Sequence, residues 1–187
     1  MYRLFIAVPV PEPVKSRLMK LKLNIPGAKW TPSDQIHITL KFIGEIDGLT
    51  FSDIRQKLSE IKMQSFSIIL KGVGYFPPGS FSKRSGPRVL WSGLEDKENI
   101  TKLRNKIENN LNKMGIGREG RKFHPHVTLA RLKNTNVQKI SEFISVYSEF
   151  LTEPFLIEEF RLYSSRLLSQ GAVHKIEAVY QFIECRN

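Results

Sequence analysis

The chain has 187 residues, 41% hydrophobic and 25% charged, which is an ordinary globular composition long enough for one large domain or two closely packed lobes. Its longest apolar runs, such as "LFIAVPV" at 4–10, are too short to span a bilayer, and a single cysteine excludes an intramolecular disulfide framework or a Cys-based zinc site. The net charge of +11 favours phosphate-bearing or anionic partners, with the basic residues scattered along the chain and not gathered in one tail. The opening residues lack the basic, apolar and small-residue regions of a secretory signal, so a cytoplasmic protein with no membrane partner is expected.

In chain order, "RLFIAV" at 3–8 predicts a strand and "PEPVKSRLMKLKL" at 11–23 a helix. "QIHITLKF" at 35–42 alternates as a strand does, "TFSDIRQKLSEIKM" at 50–63 predicts a second helix, and "FSIILKGVGYF" at 66–76 a closing strand. A loop rich in Pro, Gly and Ser follows at 75–88, ending in the basic "KRSGPR", which reads either as a rim over a groove or as a solvated loop. The order then repeats. "RVLWSGL" at 88–94 is a strand, and in "KENITKLRNKIENNLNKMG" at 97–115 Ile100, Leu103, Ile107 and Leu111 recur at helical steps before Gly115 offers a stop. "FHPHVTLAR" at 123–131 is a strand, "NVQKISEFISVY" at 136–147 a helix, and "FLIEEFRLYSS" at 155–165 a strand; "HKIEAVYQFI" at 174–183 adds a last one.

Matching elements lie 85 to 89 residues apart, so the chain reads as a duplication with units at about 3–76 and 88–165 plus the strand at 174–183. The period is too long for a solenoid. The expectation is a single bilobal α+β domain over residues 1–187. It would have two mostly antiparallel sheets, helices on their outer faces, and a central cleft on a pseudo-twofold axis.

The repeated element carries the chemistry. Alternation puts His37, Thr39 and Lys41 on one face of the first strand, with Ile36, Ile38, Leu40 and Phe42 toward the helices; His126 and Thr128 share a face of the second. One "HIT" or "HVT" is ordinary strand sequence, but packing alone seldom preserves a His-Thr pair at both equivalent places of a duplication. Two facing histidines suit acid–base work on a phosphodiester. A neutral imidazole takes a proton from water while an imidazolium gives one to the leaving oxygen, and threonine hydroxyls donate to the non-bridging oxygens. A metal centre fits less well, because no HExxH helix or Cys pair is present and threonine is a poor substitute for a carboxylate or thiolate ligand. P-loop, GxSxG and GxGxxG patterns are missing too.

"HITL" at 37–40 and "HVTL" at 126–129, with the flanks "RLFIAVPVPEPV", "HITLKFIGEI", "RVLWSGL" and "FHPHVTLAR", resemble the 2H phosphoesterase superfamily, in particular its RNA 2′,3′-cyclic phosphodiesterase (2′-5′ RNA ligase) branch. The resemblance runs through nearly the whole chain. It implies cofactor-free and metal-independent hydrolysis of an RNA 2′,3′-cyclic phosphate end to a 2′-phosphomonoester by a monomer, with 2′-5′ ligation as the reverse reaction. It makes His37 the proton donor, His126 the proton acceptor, and Thr39 and Thr128 the phosphate holders. Spacing by itself does not assign the two histidine roles. Alternatives are another 2H reaction, on a small cyclic nucleotide or 2′-5′ oligoadenylate, and a non-catalytic module that binds RNA ends.

Arg131 stands where the family tends to carry arginine as a phosphate ligand, but strict alternation places it opposite His126 and Thr128 unless the strand twists or ends there. Lys41 has the parity of the cleft and reads as a surface lysine. His124 reads as a loop-edge residue ahead of Pro125, and His174 as a packed strand residue. Phe42 is expected in the core, and Trp91 on either face.

Overall fold

The computed structural model describes residues 1–77, 86–168 and 171–183. Residues 78–85 of the predicted junction loop, with the first half of "KRSGPR", fall outside them. The elements are β1 (Tyr2–Pro9), α1 (Glu12–Met19), β2 (Ala28–Trp30), a 3₁₀ turn (Ser33–Gln35), β3 (His37–Ile46), α2 (Gly48–Ser59), β4 (Phe66–Ile68), β5 (Leu70–Phe76), β6 (Val89–Leu94), α3 (Glu98–Asn112), β7 (Val127–Leu132), α4 (Val137–Val146), β8 (Phe155–Ile157), β9 (Glu159–Leu168) and β10 (Gly171–Gln181).

The helices form where the periodicity predicts them, and two of them carry side-chain caps. In α3 the predicted stripe of Ile100, Leu103, Ile107 and Leu111 is fully buried, and just beyond it Gly115 turns at φ +82°, a conformation that costs glycine nothing. The Asp47 carboxylate caps α2 by accepting from the Thr50 N–H at 2.9 Å, and the Asn136 side chain caps α4 through the Gln138 N–H at 2.8 Å. Ile54 and Leu58 of α2, and Ile140 and Phe143 of α4, complete the buried faces. These side chains meet Leu4, Ile6 and Val8 of β1, Ile38 and Leu40 of β3, and Val127 and Leu129 of β7 in one apolar core.

The strands run in the order β10-β9-β1-β3-β7-β6-β5, with β2 beside the outer end of β7; β4 and β8 form a separate two-stranded sheet. The two expected sheets are therefore hydrogen-bonded into one, but only just. β3 and β7 touch through a single antiparallel pair, Ile38 with Val127, and from Ala130 to Leu132 β2 takes over as the neighbour of β7. The half-sheets β10-β9-β1-β3 and β7-β6-β5 part on either side of that pair.

Two antiparallel contacts join equivalent strands of the duplication, Ile38 with Val127 and Ser67 with Leu156, each spanning 89 residues. An antiparallel pairing of equivalent strands at equivalent residues places a twofold axis through both contacts. The closing strands depart from expectation. Each is split, at Ile69 and at Glu158, again 89 residues apart, and each second part crosses to the opposite half: β5 pairs with β6, and β9 with β1. The short first part stays on the axis as β4 or β8, so the strand must turn a corner between the two sheets.

Candidate active site

The axis pair sets the geometry. With Ile38 opposite Val127 in antiparallel strands, His37 lies across from Thr128 and Thr39 across from His126. Ile38 and Val127 are completely buried among the helices, which sends the four polar side chains to the other face. The structure thus brings His37, Thr39, His126 and Thr128 together at the floor of the cleft between the half-sheets.

Beyond each motif the alternation breaks. Ala7 pairs with Thr39 and Ile6 with Lys41, leaving Leu40 as an extra residue; Trp91 pairs with Thr128 and Leu90 with Ala130, leaving Leu129 as the extra residue. Leu40 and Leu129 are 89 residues apart, so each copy carries the same β-bulge. A bulge turns over every later side chain, and this reverses the face that strict alternation gave to three residues. Lys41 points to the helix side and is 4% exposed. Phe42, paired with Phe5 on the cleft face of β1, is 63% exposed and does not enter the core. Arg131 pairs with Val89, which shares the face of Trp91, and so emerges on the same side as Thr128.

His126 is held by the carbonyl two residues before it, its Nδ1 lying 2.6 Å from the His124 carbonyl oxygen. The Gln35 backbone, two residues before His37, acts on that ring in the same sense and works to raise its pKa. A carbonyl only accepts, so Nδ1 of His126 carries the proton and Nε2 is left for chemistry. His124 itself lies in the irregular segment ahead of β7, as its place before Pro125 suggested.

The rings stand in unlike company. His37 is partly accessible but crowded by Phe5 at 5.1 Å between centroids, His174 at 5.9 Å and Tyr163 at 6.0 Å. His126 faces Phe76 edge-on at 5.1 Å, with Trp91 at 6.5 Å. Burial, reinforced by His174 and more weakly by His126, lowers the pKa of His37 from 6.5 to about 4 against the opposing hydrogen bond from Gln35. Burial also lowers that of His126, with the His124 carbonyl opposing it.

His174 is a packed strand residue, as alternation suggests, but it packs beside the first motif. It sits edge-on to Phe5 at 4.8 Å, beside His37, and burial lowers its pKa while Asp34 works the other way. Tyr163 is missed altogether, because it reaches the cleft only through the pairing of β9 with β1. Trp91 proves to be a cleft residue. Its indole lies so close over Gly74 that a Cβ there would come within 2.2 Å of the ring. Among the described residues, no cluster of three His, Cys, Asp or Glu side chains is arranged to hold a metal ion. Nor is any described helix long and apolar enough to cross a membrane.

A family model for the 2′-5′ RNA ligase superfamily matches residues 10–167. The chain belongs to that superfamily. Its similarity to other members extends over nearly the full length. It is 32% identical to the RNA 2′,3′-cyclic phosphodiesterase of Archaeoglobus fulgidus, over 96% of this chain and 99% of that protein. It is 34% identical to the protein of the same name from Thermotoga maritima, over 96% and 95%. The crystal structure of TT0787 from Thermus thermophilus matches with a TM-score of 0.79 at 26% identity, covering 96% of this chain and 97% of that one. Escherichia coli LigT in its apo form matches with a TM-score of 0.77 at 20% identity, covering 97% of each, a likeness of fold alone. The α+β architecture described above is that of 2′-5′ RNA ligase superfamily members.

Proposed function

We propose that this chain hydrolyses RNA 2′,3′-cyclic phosphate ends to 2′-phosphomonoesters, using His37 as proton donor and His126 as proton acceptor. The observation that carries this reading is the meeting of two His-Thr pairs across one twofold contact, Ile38 with Val127. It leaves the two imidazoles and two hydroxyls facing one space. The names of the relatives and the superfamily point to the same substrate. Neutral His126 takes a proton from a water molecule through Nε2 as the water oxygen attacks phosphorus. The bond from phosphorus to O3′ breaks, and His37 delivers a proton to that oxygen, leaving phosphate on O2′ and a free 3′-hydroxyl. The Thr39 and Thr128 hydroxyls donate to the non-bridging oxygens, and Arg131 adds positive charge from the same face. With a 5′-hydroxyl end in place of water, the same attack on phosphorus with loss of O3′ forms a 2′-5′ linkage.

A pKa of about 4 leaves free His37 neutral near pH 7, so the donor must be charged by the substrate. The cyclic phosphate brings a negative charge beside the ring, which favours the imidazolium. Binding should therefore take up a proton. Both halves of the cleft come from one chain, which supports a monomer, and nothing in the site calls for a location other than the cytoplasm.

The test is turnover of an oligoribonucleotide ending in a 2′,3′-cyclic phosphate, in EDTA, by wild type, His37→Ala and His126→Ala. Expected are a 2′-phosphate product and losses of roughly a hundred- to ten-thousandfold in each variant. Tight binding with the cyclic phosphate left intact would overturn the enzyme reading in favour of an RNA-end-binding module. Activity lost on chelation would overturn the metal-free mechanism.

A further inference from the structure

The most deeply buried charges among the described residues lie behind the cleft. Lys41, turned inward by the bulge, donates from Nζ to Glu108 Oε2 of α3 at 2.9 Å and to the Gly117 carbonyl at 2.8 Å. The Lys41 and Glu108 side chains are 2% and 4% exposed. Arg104, one helical turn before Glu108, approaches Oε1 at 3.3 Å, and its Nη2 donates to the Glu119 carbonyl at 3.4 Å. Its guanidinium also lies 5.3 Å from the centre of the Phe123 ring.

Stability alone is a poor reason for such a cluster. Buried ion pairs repay their desolvation only when every remaining polar atom is satisfied. Here Glu108 Oε1 accepts no hydrogen bond and Arg104 Nε donates none. Apolar side chains of similar volume would hold β3 against α3 about as well.

The contacts have a direction that apolar side chains would lack. Gly117, Glu119 and Phe123 belong to the stretch from Ile116 to His126, which has no helix or strand of its own and delivers His124 and His126 to the cleft. One carboxylate, Glu108, fixes the two cations that grip this stretch. One of those cations comes from β3, two residues after Thr39. The second copy has Ala130 at the position of Lys41 and no counterpart of this arrangement.

We infer that Lys41, Glu108 and Arg104 are positioning residues that set His126 at its working distance from the first motif, measured from the strand that carries His37 and Thr39. The inference rests on His126 being the proton acceptor. Without the cluster, the stretch from Ile116 to His126 keeps its chain length but loses its register against β3, and the acceptor drifts relative to the phosphate held by Thr39.

The test is a variant with Lys41→Met, Glu108→Met and Arg104→Met together, beside Arg104→Met alone, which leaves the inner ion pair in place. Thermal melting should show both folded. On the cyclic-phosphate RNA, kcat should fall about a hundredfold in the triple variant, with KM changed little, and about tenfold in the single one. In the ligand-free protein, the Nδ1 proton of His126 should lose its hydrogen-exchange protection in the triple variant while backbone amides of β3 keep theirs. Wild-type kcat, or an unchanged His126 signal, in either folded variant would overturn the inference. The exchange readout needs no turnover, so a wild type that fails to cleave would refute the enzyme reading while still deciding this one. A triple variant that does not fold leaves Arg104→Met to decide it.

Discussion

The two motif strands share a backbone and differ in what they present. Both place a histidine, an inward apolar residue and a threonine, then bulge at a leucine. After the bulge β3 buries Lys41 and exposes Phe42, whereas β7 buries Ala130 and exposes Arg131. Around the rings, His37 has Phe5, Tyr163 and the His174 imidazole, while His126 has Phe76, Trp91 and the influence of His124. Symmetry of the chain path supplies two equivalent stations facing one space, where the proposed reaction puts the phosphate. Asymmetry of the filling makes the stations chemically unequal, which is what a donor and an acceptor require.

The largest expected effect that separates the stations is on stability in acid. His37 has a folded pKa of about 4 against an unfolded value near 6.5. Between those values the unfolded chain binds a proton that the native protein refuses, so stability is lost as pH falls through this window and regained as it rises. The full difference is about 3 kcal/mol, and urea unfolding at pH 7 and pH 4 should show His37→Asn losing less stability than wild type by a large part of it. His126→Asn should show the same sign, since its pKa is lowered too. A slope unchanged by His37→Asn would mean that the ring is not held neutral.

The threonines sharpen the comparison from the other side, because symmetry predicts equal roles. Thr39→Val and Thr128→Val should each lower kcat roughly ten- to a hundredfold, the worth of a hydrogen bond to a charged oxygen. A strongly unequal pair would mean that the phosphate sits off the axis. Next in size is the wall beside His126. Gly74→Ala would drive a methyl into the Trp91 indole and should cost about 1–3 kcal/mol in chemical denaturation. The smallest effect concerns the residues after the bulge. Arg131→Gln should raise KM a few-fold and flatten its salt dependence, while Phe42→Leu should leave the salt dependence alone. An unaltered KM for Arg131→Gln would place the arginine outside the phosphate's reach.

Local pattern made much of this legible. The stripe of α3 and the two His-Thr strands are written in short windows of sequence, and the structure has a helix and strands there. The bulges are not written that way. "HITLKF" alternates perfectly on paper, and nothing within it reveals that Leu40 faces no partner on β1, so alternation puts both Lys41 and Phe42 on the wrong side. Arg131 gains its cleft position from the same distortion. Strand exchange is less legible still, because pairing is non-local. Tyr163 and His174 become neighbours of His37 only because β9 docks on β1 and β10 on β9, the first of these contacts spanning most of the chain. The residues that make the stations unequal are largely those whose places depend on such pairings.

The crossing of β5 and β9 has a consequence for ancestry. Neither half of the chain owns a complete sheet, since each lends its last strand to the other and shares β4 or β8 on the axis. That is the connectivity of a strand-swapped homodimer whose two protomers have been joined head to tail. A half-length ancestor pairing with itself would already have gathered two histidines and two threonines around one space. Fusion would release each copy from serving both stations, so that a lysine could stand at position 41 and an alanine at 130.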